Sequence, residues 1–363
     1  MVSGARTHRL AALVERLVAH HLDGVLITAP PNIRYLTGFS GSNALLFASA
    51  REVHLITDFR YKTQAAVESS DVASVRIEES SLWAGLWKLL ATMTGVEAIG
   101  FESAHLPHRD FQRLLEQGDR WHWRPATELV EDLRARKDAG EVALIRAAGA
   151  IAMQALQETL SGVRAGMSEL DICGDLERAL RRAGSDAHPF APIVATGPRS
   201  ALPHARASTR AIAPGEFLLL DFGASTGGYC SDVTRTVVLG RADSRQRETH
   251  EAVQEANRVA RVGIRAGMLG REGDALARSV LEARGMGELF GHGLGHGIGL
   301  QVHEAPRLSR LAEEVLPPGS VVTIEPGVYV PEWGGVRIED DVHLGADGTE
   351  LLTDFTRELL ELS

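Results

Sequence analysis

Cysteine is nearly absent from this chain, and the two that occur, Cys173 and Cys230, argue against a disulfide framework as its source of stability. Lysine is almost as scarce: Lys62, Lys88 and Lys137 stand against abundant arginine, an imbalance read as genome composition bias. No basic stretch is longer than Arg181-Arg182, and the formal net charge is -10. That balance argues against a nucleic-acid surface and mainly favours solubility. Continuous apolar runs of signal-peptide or membrane-span type are missing too. Residues 1–9 are polar, and Leu10, Leu13, Val14, Leu17 and Val18 recur at helical spacing as one apolar face. The expectation is a cytoplasmic chain that binds neither nucleic acid nor membrane.

The length of 363 residues points to two domains with sizeable cores. Up to residue 128, helices alternate with strand-like runs such as Gly24-Val25-Leu26-Ile27-Thr28 and Val53-His54-Leu55-Ile56-Thr57, the pattern of a small α/β domain. Trp83 and Trp87, four apart among Leu82, Leu86, Leu89 and Leu90, read as a helix face buried in that core. The charged run from residue 131 to 138 is expected to open a long helix through Ala155 with its charges on a solvated face. The division is therefore 1–128 and 129–363.

The last third holds Asp221, Asp232, His296, Glu325 and Glu339, four carboxylates and an imidazole. Such an oxygen-rich set suits paired divalent ions that activate a water rather than a structural zinc. Phe217-Leu218-Leu219-Leu220-Asp221 reads as a buried strand that turns at Thr226-Gly227-Gly228 and returns through Asp232-Val233-Thr234-Arg235. Asp221 and Asp232 are expected to face each other across this hairpin. Val321-Val322-Thr323-Ile324-Glu325 would pair likewise with Val336-Arg337-Ile338-Glu339-Asp340, turning near Trp333-Gly334-Gly335. Asp221 and Glu325 each interrupt an apolar run, where a bare charge is costly without a cation.

Arg164-Ala165-Gly166-Met167 recurs as Arg265-Ala266-Gly267-Met268, and Pro214-Gly215 recurs as Pro318-Gly319, each seven residues before an acidic candidate. Two related halves would set the site on a pseudo-twofold axis. His292 and His296 sit among glycines that allow close backbone approach, and no Gly-Lys-Ser/Thr follows as a P-loop requires. His303 and Glu304 follow directly. His204, on spacing alone, reads as an exposed loop histidine.

These segments, with Thr323-Ile324-Glu325-Pro326-Gly327 and Gly335-Val336-Arg337-Ile338-Glu339-Asp340, resemble the Xaa-Pro dipeptidase and aminopeptidase P family of dinuclear metallopeptidases. Asn32-Ile33-Arg34-Tyr35-Leu36-Thr37-Gly38-Phe39 and Thr57-Asp58-Phe59-Arg60-Tyr61 extend the resemblance over nearly the whole chain. It implies a small N-terminal α/β domain followed by the α/β pita-bread catalytic domain shared with methionine aminopeptidases. It further implies two divalent ions, manganese, cobalt or zinc. Asp232 and Glu339 would bridge them, Asp221 would hold one, and His296 with Glu325 the other.

By the same resemblance a bridging hydroxide attacks the scissile carbonyl, Glu325 shuttles the proton, and His303 stabilises the tetrahedral intermediate. His204 and His292 would contact substrate. Tyr329 and His204 match the walls of the proline pocket, with Tyr329 otherwise read as core. Arg337 orients Glu339 or nearby carboxylates, or forms a structural ion pair. The implied activity is removal of one amino-terminal residue from short peptides, Xaa-Pro peptides above all. Ala205, where many relatives carry glycine, keeps open a broader aminopeptidase acting on Met or Leu termini without a proline requirement. A non-catalytic binding module would be expected to have lost ligands, and none of the five is missing. The resemblance also implies a homodimer formed through the first domain, with the loop at residues 39–43 reaching a partner's site.

Overall fold

The computed structural model describes residues 2–346 and 348–363, so Met1 of the polar start lies outside it. The chain forms two compact units, residues 1–134 and 135–363.

The first unit is one mixed sheet with helices. Its strands are β1 Gly24–Ile27, β2 Ala44–Ser49, β3 Val53–Asp58, β4 Ser74–Glu78, β5 Ala98–Glu102 and β6 His122–Ala126. Their order is β4-β3-β2-β1-β5-β6. The β1–β2 and β2–β3 pairs are antiparallel, the second a hairpin, whereas β3–β4, β1–β5 and β5–β6 are parallel. The consecutive parallel steps β3–β4 and β5–β6 need crossovers, which α3 Lys62–Ser69 and α5 His108–Gln117 supply. The remaining helices are α1 Val2–Ala19, α2 Pro30–Thr37, α4 Leu82–Thr92 and α6 Glu131–Arg134. In α4, Leu86, Leu89 and Leu90 are fully buried or nearly so, and Trp83 and Trp87 pack against the same core. Trp87 stacks on Trp121 at 6.1 Å.

The charged run from residue 131 behaves differently from the expected solvated helix. The helix breaks after Arg134, and α7 Ala139–Gly162 starts afresh with Asp138 and Glu141 forming a reciprocal capping box. Arg134 and Lys137 are buried, and Lys137 Nζ lies 2.7 Å from Glu304. Among the described residues α7 alone is long and apolar enough to cross a membrane. Its Ile145, Ala148, Ala152 and Leu156 are instead wholly buried in the protein.

The second unit repeats itself. Its first half runs α7, α8 Glu169–Ala183, β7 Ile193–Thr196, β8 Phe217–Phe222, β9 Ser225–Thr226, β10 Tyr229–Cys230 and β11 Val233–Leu239. The second runs α9 Ser244–Gly263, α10 Gly270–Ala283, β12 Gly295–Gly297, β13 Glu304–Leu308, β14 Val321–Ile324, β15 Gly327–Val330, β16 Gly334–Arg337 and β17 Asp340–Gly345. Strands β18 Gly348–Leu351 and β19 Glu361–Leu362 extend one sheet each, in the orders β13-β12-β14-β17-β18 and β19-β11-β8-β7.

The repeated tetrapeptides fold alike. Gly166 and Gly267 have φ of 87° and 90°, a region that L side chains avoid. Their N–H groups donate to Ile212 and Leu316, whose own N–H groups return to Met167 and Met268. Gly215 and Gly319, with φ of 84° and 88°, donate to Leu239 and Leu344. Each half has its own core, one around Leu156, Leu176, Leu218 and Leu220, the other around Val253, Leu281, Val322 and Ile324. Burial of each such side chain contributes about 1.5–3 kcal/mol.

Candidate metal centre

In both halves a strand pair carries a short two-stranded ribbon at its end: β9–β10 between β8 and β11, and β15–β16 between β14 and β17. The acidic residues sit where ribbon and strand pair join. Their registers differ from the simple hairpins expected. Asp221 is opposite Thr234, not Asp232, which precedes β11 by one residue. The ribbon takes up the intervening residues and moves Asp232 one step beyond the pairing. In the second half Val336 and Arg337 belong to the ribbon, and β14 pairs with β17 through Ile324 and Asp340. Glu325 and Glu339 flank that last pair.

Oxygens of Asp232 and Glu339 and an imidazole nitrogen of His296 lie within 4.8 Å of one another. His296 Nε2 is 3.4 Å from Glu325 Oε1 and 4.0 Å from Asp232 Oδ2. His296 Nδ1 is 3.1 Å from the Gly297 carbonyl. A carbonyl only accepts, so Nδ1 holds the proton and Nε2 presents its lone pair to the carboxylates, the form that ligates a metal. Asp232 Oδ1 is buried without a hydrogen-bond partner. Burial first, then Glu339, Asp221 and Asp341, pushes the Asp232 carboxyl well above the usual carboxylate range. Glu339 is pushed well up by burial and by Glu325 and Asp221, and Glu325 is raised by burial. An orphaned buried oxygen amid mutually repelling carboxylates is what a divalent cation relieves, and the donor set of carboxylates plus one imidazole fits it.

Two threonines that the strand reading passed over tie these acids together. Thr234 donates to Glu339 at 2.6 Å and accepts from Arg337 Nε at 3.1 Å. Thr323 donates to Glu325 at 3.0 Å and accepts from the His296 N–H at 3.1 Å. Spacing gave a signal for one of them: Thr323 lies two residues before Glu325, which it binds, whereas the Glu339 partner of Thr234 is distant in sequence. Arg337 binds Asp221 directly at 2.5 Å, and reaches Glu339 only through Thr234. Asp341, a third acid beside Glu339 and Asp340, accepts the Asp232 backbone N–H at 3.1 Å.

The other candidates lie close by. The His303 ring is exposed and 4.3 Å from that of His296. His204 is exposed on the loop whose Pro203 carbonyl lies 3.5 Å from Arg337 Nη2. Tyr329 is buried, and its hydroxyl joins His292 Nε2 at 2.9 Å to Arg337 Nη1 at 2.8 Å. Burial pushes the Tyr329 hydroxyl up to about 12 and lowers the His292, His296 and His303 imidazoles. The imidazoles are thereby kept neutral at physiological pH.

Comparison with known proteins decides what such a centre belongs to. Residues 143–346 match the model of metallopeptidase family M24, and residues 9–136 match the creatinase/prolidase N-terminal domain. The chain belongs to metallopeptidase family M24. An Xaa-Pro dipeptidase of Pyrococcus horikoshii is 32% identical over 97% of this chain and 98% of its own length. The solved Xaa-Pro dipeptidase of Bacillus anthracis is 37% identical, covers 98% of this chain and 100% of its own, and superposes with a TM-score of 0.94. The X-Pro aminopeptidase of Thermotoga maritima is 36% identical, with 96% and 99% covered and a TM-score of 0.90. The second unit is thus an M24 pita-bread domain, and this M24 member is a peptidase that depends on a divalent metal.

Proposed function

We propose that this M24 peptidase removes the amino-terminal residue from short peptides with proline in second position. Two divalent ions, of manganese, cobalt or zinc, would be held by Asp221, Asp232, His296, Glu325 and Glu339. The observation that carries the reading is the meeting of Asp232, His296 and Glu339 in one buried cluster with an unpartnered Asp232 oxygen. When bound, the ions supply a Lewis acid for the scissile carbonyl and lower the pKa of an attacking water.

The chain's own groups do the rest. Glu325, its carboxyl raised by burial, takes the proton from the attacking water and returns it to the departing nitrogen. His303, exposed beside His296, donates to the carbonyl oxygen as it gains charge. His204 lies on the solvent side and contacts the substrate. His292 and Tyr329, ring centroids 5.5 Å apart, form an apolar-faced wall for a proline ring. Arg337 holds Asp221 in place through their ion pair.

The proline preference is supported by the likeness to the Xaa-Pro dipeptidase of Bacillus anthracis and the X-Pro aminopeptidase of Thermotoga maritima. The first domain is assigned dimerisation and gating of the substrate, with the loop at residues 39–43 at the partner's site, and the enzyme is assigned to the cytoplasm. The test is hydrolysis of Met-Pro, Met-Ala, Met-Pro-Ala and Met-Ala-Ala with and without manganese. Cleavage of the proline peptides alone is expected. Equal cleavage of Met-Ala-Ala would refute the proline requirement, and silence on all four would refute the peptidase assignment.

A further inference from the structure

Each half of the second unit hangs a histidine-bearing loop from a carboxylate on its second helix. In the first half, Glu169 at the start of α8 is wholly buried. It accepts from the Thr196 and Ser208 N–H groups and from Arg199, and so spans the loop that carries His204. In the second half the carboxylate is Asp274 of α10, 1% exposed, paired one turn on with Arg278 at 2.6 Å.

Arg278 donates to the carbonyls of Phe290 at 2.9 Å and His292 at 2.8 Å. Its guanidinium lies 4.1 Å over the Phe290 ring, which meets the His292 ring edge-on at 5.0 Å. Asp274 Oδ1 accepts the Leu294 N–H at 3.0 Å. That N–H shares a peptide group with the Gly293 carbonyl, and a planar trans peptide points its N–H and C=O in opposite directions. The Gly293 carbonyl therefore turns away from Asp274, and it lies 2.8 Å from His292 Nδ1. Because a carbonyl accepts only, Nδ1 holds the imidazole proton, and Nε2 is left to accept from the Tyr329 hydroxyl.

We infer that Asp274, held by Arg278, is a positioning residue that sets the tautomer and ring orientation of His292 through the Gly293–Leu294 peptide. Neither Asp274 nor Arg278 touches a proposed metal ligand, but Leu294 also accepts the Glu325 N–H at 2.9 Å, so metal content is measured beside the His292 readout. An i,i+4 ion pair that served only stability would be replaceable by apolar side chains without consequence for His292. The inference rests on the peptidase reading above for its activity readout. Its own readouts are the His292 tautomer and the coupling of Asp274 to His292.

The experiment is a double-mutant cycle in the metal-loaded enzyme with a Met-Pro substrate, together with 15N imidazole spectra of His292. Asp274→Ala is expected to lower kcat/KM at least tenfold, with bound metal unchanged and the His292 spectrum shifted towards a mixture of tautomers. Asp274→Asn, which keeps an acceptor for Leu294, is expected to restore most of the rate. In a His292→Ala background Asp274→Ala should cost nothing further, whereas in a His204→Ala background its effect should be undiminished. If Asp274→Ala does not fold, the apolar pair Asp274→Leu with Arg278→Met leaves no buried charge and carries the same cycle. An effect that adds in full to His292→Ala, that follows loss of metal, or that leaves the His292 spectrum unchanged would overturn the inference. A parent enzyme silent on Met-Pro would overturn the peptidase reading instead, and the spectra would still decide the role of Asp274.

Discussion

Replacing Arg337 by methionine should damage the metal-stripped protein far more than the metal-loaded one. Arg337 is 3% exposed, and its guanidinium divides itself among Asp221, Tyr329 and Thr234. Burial opposes its charge, but Tyr329, Asp221 and Glu339 hold its pKa well above the ordinary arginine value, so it stays cationic at every working pH. Methionine fills the space and leaves Asp221, 9% exposed, without its cation. Breaking a buried pair from one side costs about 3–5 kcal/mol. For a unit of this size each kcal/mol lowers the melting temperature by about 2–4 °C, so a fall of roughly 6–20 °C is expected after chelation. On the proposed ligand set, a divalent ion gives Asp221 a new positive partner in the loaded protein. What is lost there is the bonding to Tyr329 and Thr234, about 1–3 kcal/mol. Thermal unfolding of the parent and Arg337→Met, each stripped and reloaded, measures both numbers. An equal loss in the two states, or a loss below about 1 kcal/mol in the stripped one, would refute the view that Arg337 neutralises Asp221.

Three further outcomes follow from the same electrostatics. Asp232→Asn removes the carboxylate most crowded by its neighbours, so the stripped protein should gain about 0.5–2 kcal/mol while metal uptake is lost; denaturant titration showing no gain would contradict this. The raised pKa values of Asp232, Glu325 and Glu339 mean that the folded, metal-free state binds their protons more tightly than the unfolded chain does. Their contribution to stability is then full below the usual carboxylate range and is lost as pH rises through the raised values. Metal uptake should therefore release protons and weaken as pH falls, and calorimetric heats identical in buffers of different ionisation enthalpy would refute it. Tyr329→Phe deprives His292 Nε2 of its donor and Arg337 of an acceptor. About tenfold lower activity with full metal content and a stability cost of about 1–2 kcal/mol is expected, and loss of metal in that variant would count against the wall assignment.

The site was legible where a charged side chain breaks a local rule. Asp221 ends the run Phe217-Leu218-Leu219-Leu220, and Glu325 ends Val321-Val322-Thr323-Ile324, so both stand out against a strand buried on both faces. The repeat was legible for a similar reason: its glycines occupy positive φ, where other residues are strained, so they mark the same turn twice. Register was not legible. The β9–β10 ribbon is formed by too few residues to show an alternating pattern, yet it decides which residue opposes Asp221. Burial of charge was equally hidden. Arg134 and Lys137 lie in a run that looks like a solvated helix face, and Asp274 with Arg278 has the spacing of an ordinary surface pair. Their partners, Asn32, Glu304 and the segment at residues 290–294, come from distant parts of the chain, and local pattern holds no record of them.

The twofold construction of the second unit also acts as a safeguard. Each half, with its own core, brings two carboxylates, and neither holds both Asp232 and Glu339. On the proposed ligand set, a chain emerging during synthesis, or one unravelled in either half, has only half of a centre. Degradative capacity is thereby withheld until both halves have closed on each other.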